Sequence, residues 1–488
     1  MIRKVLIANR GEIAVRINRT LRKMGIRGAV VYSDADADAL HVITSEEAYH
    51  IGPAPSSHSY LNMDKIIEVA KKSGADAIHP GYGFLSENPE FARRVREAGL
   101  IFIGPGPESM ELAGDKLKAK ESARRAGVPL VPGSDGLKDV DEAIRIAEEI
   151  GFPVLIKAAR GGGGKGMRIV ERKEDFPELF ALAVQEAESA FGDGTVYIEK
   201  YITSPHHVEI QIMADQHGNV VALGERECSV QRRHQKIIEE SPSPFISDST
   251  RRRMMEAAVN FAREIGYVNA GTVEFIVDDH ENFYFLEMNT RLQVEHPITE
   301  WRYGIDLVEW QLKVAMGESI EPLMELEPQG HAIEARIYAE DPESNFAPSP
   351  GKITFMTEPS GPYIRIDSGV YYPSEIPIYY DPMISKLIAW GPTRRDAISR
   401  ILSALREYRI FGIKHNIDYL IAVIESEDFQ KGIYTTRFTE TFEYKKALPD
   451  ESLIRALPQV KRSMGIQWNT VEGEPVSAWK KTPVDWEI

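Results

Sequence analysis

The stretch Glu287-Met288-Asn289-Thr290-Arg291-Leu292-Gln293-Val294-Glu295 concentrates the chain's capacity for chemistry. In an extended chain, side chains alternate between faces. One face then carries Glu287, Asn289, Arg291, Gln293 and Glu295, and the other carries Met288, Thr290, Leu292 and Val294. A solvated surface strand can show such alternation. It has no reason, however, to prefer carboxylate, amide and guanidinium over Lys, Thr and Ser. Upstream, Thr272 to Val277 and Phe283 to Met288 predict a hairpin that turns near Asp279 to Asn282. That register sets Glu274 opposite Glu287. Two carboxylates across an antiparallel pair repel each other unless a cation lies between them. Oxygen ligands from Glu274, Glu287 and the Asn289 amide suit Mg2+ or Mn2+, which also bind nucleotide phosphates.

A second candidate is the run Arg160-Gly161-Gly162-Gly163-Gly164-Lys165-Gly166. Glycines let backbone N–H groups approach phosphate oxygens, and the lysine adds charge. The run lacks the Gly-Lys-Ser/Thr of a P-loop and leads into no helix. It lies between the predicted strands Val154 to Lys157 and Met167 to Val170. It therefore reads as a hairpin tip able to close over phosphates, with Lys157 just before it; a plain mobile turn is the alternative. A third candidate is Gln231-Arg232-Arg233-His234-Gln235-Lys236, read as an extended segment in which His234 and Lys236 share a face. His207 starts the preceding strand. In a chain of net charge −16, such a cluster points to a local anion pocket. Cys228 reads as a small buried residue rather than a nucleophile.

The elements that must hold these groups follow from the apolar pattern. The first 110 or so residues alternate strands and helices: Lys4 to Ala8, a helix from Ile13 to Met24, Ala29 to Tyr32, a helix over 62–73 and Ala75 to Ile78. This βαβ pattern implies a parallel sheet. Gly104-Pro105-Gly106 is not a dinucleotide fingerprint, because the later glycine is missing and no helix is expected to open there. From about residue 150 hairpins take over, with a helix over Asp248 to Glu264, and a second mixed region spans about 330–446. A chain of 488 residues implies two to four domains. The negative charge argues against nucleic-acid binding. No apolar run approaches the ~18 residues of a membrane span. The single cysteine excludes an internal disulfide and a cysteine metal cage, and the cytoplasm is the expected location.

Several stretches in one order carry a family resemblance. They are Ile7-Ala8-Asn9-Arg10-Gly11-Glu12-Ile13-Ala14, His79-Pro80-Gly81-Tyr82-Gly83-Phe84-Leu85-Ser86-Glu87, Gly114-Asp115-Lys116, the glycine run, the 231–236 cluster, Glu287 to His296, and Tyr380-Asp381-Pro382-Met383-Ile384-Ser385-Lys386. The chain resembles the biotin carboxylases of the ATP-grasp superfamily to about residue 446. The resemblance implies a multidomain α/β and α+β fold. Its parts would be a parallel α/β domain over 1–113, an ATP-grasp domain over 114–329 with a hairpin-type glycine-rich lid at about 132–203, a mixed C-terminal biotin carboxylase domain over 330–446, and an extension over 447–488. It implies ATP, two Mg2+ or Mn2+ ions, bicarbonate, and biotin supplied in trans.

The same resemblance assigns roles. Lys116, Lys157, His207 and His234 look like nucleotide contacts, with Gln231, Gly163 and Gly164 also on the ATP. Glu199 resembles the adenine edge, with Met167 against the ring. Glu274, Glu287 and Asn289 look like the metal ligands. Lys236, Arg291, Gln293 and the Val294 backbone resemble the bicarbonate site, and Glu295 the general base. Arg336 resembles the residue facing the biotin enolate, with Tyr82 near the ureido ring. There is no Met-Lys-Met biotinylation motif, so a biotin carrier protein or biotinylated subunit and a carboxyltransferase subunit are expected as partners, and a homodimer by resemblance. The departures are Arg160, where many relatives have a small or aromatic residue, and Trp301-Arg302-Tyr303. Trp468, Trp479 and Trp486 mark the extension as a docking segment for a partner chain. A carboxylate-amine ligase or a carbamoyl-phosphate synthase half would share lid and metal strand, but not the His79 to Phe84 segment together with Arg336.

Overall fold

The apolar runs at the N-terminus build a five-stranded parallel sheet, ordered Glu47–Gly52, Arg27–Ser33, Lys4–Ile7, Ala77–His79, Ile101–Phe102. Its central strand is buried on both faces, as parallel sheets require. Val5 and Ile7 pack with Ile13, Ile17 and Leu21, while Leu6 packs with Ile66, Ala70 and Phe91. The helix Met63–Ser73 starts where the Asn62 side chain accepts from the Lys65 N–H and stops at Gly74, whose φ is +68°. Gly104-Pro105-Gly106 differs from expectation in one respect. A helix, Pro107–Gly114, does open there, with Gly106 as its N-cap.

The computed structural model describes residues 1–134, 136–158, 167–191, 193–233 and 235–445. Arg160, Gly163, Gly164 and the rest of the glycine run, His234, and the extension with Trp468, Trp479 and Trp486 lie outside the described residues. The strands that flank the glycine run are present. Val154–Ala158 pairs antiparallel with Arg168–Val170 on one side and Val196–Lys200 on the other. The helices Val140–Ile150 and Phe176–Phe191 cover this small sheet with a core of its own, built on Ile156, Val170, Phe176, Phe180 and Ile198.

The site stands on an eight-stranded antiparallel sheet. Its order is Phe283–Asn289, Asn269–Val277, His206–Ala214, Val220–Arg232, Gln235–Ser241, His331–Tyr338, Met383–Gly391, Ile364–Ser368. The sheet runs without a break from the central region into the mixed C-terminal region, because Glu239 pairs with Glu334 and Ile238 with Ala335. One face at the first end packs Val208, Ile210, Val273 and Phe275 against Met254, Ala258 and Phe261 of the helix Asp248–Glu264. Each such fully buried side chain contributes roughly 1.5–3 kcal/mol. Gln231 and Lys236 do not lie on one extended strand but on two paired ones. Arg232 pairs with Gln235 and Arg233 has a φ of +50°, so the segment is a tight hairpin with Gln231 across from Lys236.

Candidate active site

A bulge aims the carboxylate pair. Near their loop, the strands pair Val277 with Phe283 and Phe275 with Phe285, and all four side chains enter the core. Strict alternation would send Glu287 into that core too. Between Glu274 and Phe275 the register slips, and Leu286 is the extra residue. The slip turns Met288 into the core and sets Glu287 on the face of Glu274, directly opposite it. Leu286 is exposed as a result. Glu287 is exposed by its whole-residue surface, yet enough protein lies around its carboxyl to desolvate it. That desolvation, with the Glu274 charge beside it, pushes its pKa up.

Glu274 is the hub of the next layer. Its Oε1 accepts from Asn289 Nδ2 at 2.8 Å, Gln293 Nε2 at 2.8 Å and Lys236 Nζ at 3.0 Å. Its Oε2 lies 2.9 Å from His207 Nε2. Burial opposes its ionisation, but Lys236 and His207 outweigh burial and hold its pKa well below the carboxylate range. Beyond Asn289 the chain leaves the strand, so residues 290–295 do not alternate as an extended segment. They bend back instead. Arg291 donates to Asn289 Oδ1 and Gln293 Oε1, each at 3.2 Å, and to Glu87 Oε2 at 2.9 Å. Glu295 ends the turn, immediately before the helix His296–Tyr303.

Glu295 is wholly buried yet ionised. Burial opposes its charge, and Lys236, Arg336 and Arg226 together hold its pKa well below the normal value. Lys236 Nζ donates to its Oε1 at 2.8 Å and Arg336 Nη2 to its Oε2 at 2.9 Å. Lys236 also reaches Glu209 Oε2 at 2.5 Å, and Arg226 pairs with the other oxygen of Glu209. Arg336 Nη2 lies 2.5 Å from Glu239 Oε1. Burial pushes Glu239 up to about 7 against the pull of Arg336. Cys228 is buried as expected, and burial pushes its thiol well up, the opposite of a nucleophile's tuning.

The nucleotide-side residues form a separate group. Lys157 Nζ and Lys120 Nζ each lie 2.5 Å from an oxygen of Glu199. Burial disfavours the Glu199 charge, but the two lysines hold its pKa below normal. Gln231 Nε2 lies 3.4 Å from His207 Nδ1, which ties this edge to Glu274. Lys116 opens the helix Lys116–Arg125 and is exposed, as is Met167. Tyr82 donates its hydroxyl to Glu12 rather than to the Arg336 cluster, though the Arg336 charge is felt there. Sequence reasoning missed Glu209, Arg226, Glu239 and Lys120. The first three lie on strands that the structure buries, among other buried polar residues, and no local pattern singles them out.

These groups meet a matching family. The model of the biotin carboxylase N-terminal domain matches residues 1–110, that of the carbamoyl-phosphate synthase L chain ATP-binding domain residues 115–323, and that of the biotin carboxylase C-terminal domain residues 334–441. The chain belongs to the biotin carboxylase family. The biotin carboxylase of Halalkalibacterium halodurans is 53% identical over 440 residues, covering 90% of this chain and 97% of its own. The mouse mitochondrial methylcrotonoyl-CoA carboxylase subunit alpha is 50% identical over 482 residues, which cover 98% of this chain and 67% of that one. A solved structure of the biotin carboxylase domain dimer of Hydrogenobacter thermophilus 2-oxoglutarate carboxylase, with MgADP and bicarbonate, is 48% identical with a TM-score of 0.82. It covers 91% of this chain and 99% of its own. Glu274 is balanced by Lys236 and His207, whereas Glu287 has no ion pair among the described residues. The two carboxylates face each other across the hairpin, and oxygen donors of this kind suit a divalent cation.

Proposed function

We propose that this protein uses ATP and bicarbonate to carboxylate biotin on a separate carrier, through carboxyphosphate. The observation that supports this most directly is the triangle of Lys236, Glu295 and Arg336, an ionised base held between two cations at 2.8 and 2.9 Å. Lys236, Arg291, Gln293 and the Val294 N–H bind bicarbonate. The base is weak while Lys236 bonds it. The negative charge of bound bicarbonate draws Lys236 away from Glu295, and the proton affinity of Glu295 rises. Glu295 then takes the bicarbonate proton, and the freed oxygen attacks the γ-phosphorus of ATP as ADP leaves.

Lys116, Lys157, His207, Gln231, His234, Gly163 and Gly164 hold the nucleotide phosphates and ribose, with Glu199 and Met167 at the adenine. Glu274, Glu287 and Asn289 hold the divalent cations, which offset phosphate charge when bound. Carboxyphosphate breaks its C–O bond to give CO2 and phosphate, and that phosphate takes the proton from the biotin nitrogen. Arg336 faces the ureido oxygen as it becomes negative, with Tyr82 beside the ring, and the nitrogen attacks CO2.

The domain boundaries at 113/114, 329/330 and 446/447, the homodimer, the cytoplasmic location, and a carrier and carboxyltransferase as partners belong to the same proposal. No helix among the described residues is long and apolar enough to cross a membrane. The test is phosphate release from ATP, Mg2+, bicarbonate and free biotin. If omitting bicarbonate leaves the rate unchanged, the proposal fails.

A further inference from the structure

The turn that carries Val294 and Glu295 is gripped from beneath by a lysine with no role so far. Lys386 lies on Met383–Gly391, directly across from Arg336 on one neighbouring strand and Asp367 on the other. Its side chain is wholly buried. The ammonium donates to the Val294 carbonyl at 2.8 Å and lies 3.3 Å from Glu12 Oε1 and 3.8 Å from Asp367 Oδ2. The same Glu12 Oε1 accepts the Tyr82 hydroxyl. A single carboxylate oxygen thus joins the tyrosine on the biotin side to the lysine on the bicarbonate side.

The backbone beneath leaves little slack. A side chain at Gly369 would bring its first carbon within 2.7 Å of the Glu12 nitrogen, so the end of Ile364–Ser368 presses on the start of the helix Gly11–Lys23. Charge balance alone does not explain the arrangement. An ammonium is expensive to desolvate, and an apolar residue in place of a buried ion pair is often no less stable. What an apolar pair would lose is the bond to the Val294 main chain.

We infer that Lys386 and Glu12 are positioning residues, through which the state of Tyr82 sets the geometry of the Val294–Glu295 turn. This rests on the preceding assignment of that turn to bicarbonate and of Tyr82 to biotin. When biotin displaces the Tyr82 hydroxyl, Glu12 is left to Lys386 alone, and the pull on Val294 changes. Biotin arriving at one side thereby adjusts the base at the other.

The experiment uses the full chain with Lys386→Met, Lys386→Arg and Glu12→Gln. In Lys386→Met, the KM for bicarbonate rises about 10-fold or more, the KM for ATP stays within about twofold, and stimulation of ATP cleavage by free biotin falls to about onefold. Glu12→Gln keeps an acceptor for Tyr82 but removes the charge that holds Lys386, so it loses the biotin stimulation first. Hydrogen exchange gives a readout independent of activity: amides over 290–296 exchange faster in Lys386→Met than in wild type, while those of Lys4–Ile7 do not. Lys386→Arg, which keeps the charge, recovers the ATP cleavage but only part of the bicarbonate affinity, and it serves in the same assays if Lys386→Met does not fold. A parallel rise in both KM values, or unchanged exchange over 290–296, overturns the inference. Absence of bicarbonate-dependent cleavage in the wild type defeats the preceding reading instead, and the exchange data still judge the anchor.

Discussion

Glu287 and Glu295 lie eight positions apart and titrate in opposite directions. Glu287 is the more exposed, yet its pKa is raised; Glu295 is wholly buried, yet its pKa is lowered. Burial alone would order them the other way. The difference lies in fixed partners. Lys236 and Arg336 are built into the fold around Glu295, whereas the charge that acts most strongly on Glu287 is another carboxylate, Glu274. One region carries its counter-charge in the sequence. The other leaves two carboxylates facing each other, the arrangement on which the proposed metal site rests.

The largest effect expected from this contrast is at the built-in end. Glu295→Gln keeps the shape and removes the base, and should slow bicarbonate-dependent phosphate release by about 10²–10⁴-fold with ATP binding unchanged, as read by calorimetry. Arg336→Gln should lower fixation of labelled bicarbonate on biotin by about 10²–10³-fold, and should depress biotin-free ATP cleavage much less. Equal loss of both activities in both variants would break the division of labour between the two residues.

A third test reads stability. The folded pKa of Glu239 is about 7 and an unfolded Glu titrates near about 4.3. The folded state therefore binds the proton more tightly, and the cost of the buried charge is imposed as pH rises through that interval. Glu239→Gln should gain on wild type by roughly 4 kcal/mol between about pH 4.3 and pH 7 and gain nothing more above it, as followed by urea midpoints. A gain that shrinks as pH rises would show that Arg336 keeps Glu239 ionised. The smallest effect should lie at Glu287, the proposed cation ligand. Glu287→Gln should raise the Mg2+ concentration for half-maximal rate about 10–100-fold, while Glu295→Gln should leave it unmoved.

The Glu274–Glu287 pairing was legible in the sequence for a reason that was partly fortunate. A turn at Asp279 to Asn282 gives that pair by simple counting. The actual loop runs one residue longer, over Asp278 to Asn282, and the Leu286 bulge restores the count. Nothing in Tyr284-Phe285-Leu286-Glu287 announces a bulge, since its cause is the competition between the core's demand for Met288 and the site's for Glu287. The polar alternation beyond Asn289 was real as composition and wrong as geometry. Those side chains converge because the backbone turns, held by bonds to Glu274 that no local pattern encodes. Parallel strands and the helix Asp248–Glu264 were plain from periodicity, because the apolar spacing that marks each element is written within the element itself. The partnership of Glu239 with Glu334, and so the placing of Arg336 beside Glu295, depends on strands far apart in sequence, and no local pattern carried it.

That long-range pairing matters while the chain is being made. The outer edge of Gln235–Ser241 finds its partner only when His331–Tyr338 emerges, roughly 90 residues later, which is several seconds at typical ribosomal speed. For that interval, a strand bearing Ile237 and Ile238 offers open backbone groups to any passing neighbour. The nascent protein thus carries an open strand edge from the emergence of Ser241 until His331–Tyr338 arrives. Fragments cut near residue 330 would be held in that vulnerable state permanently.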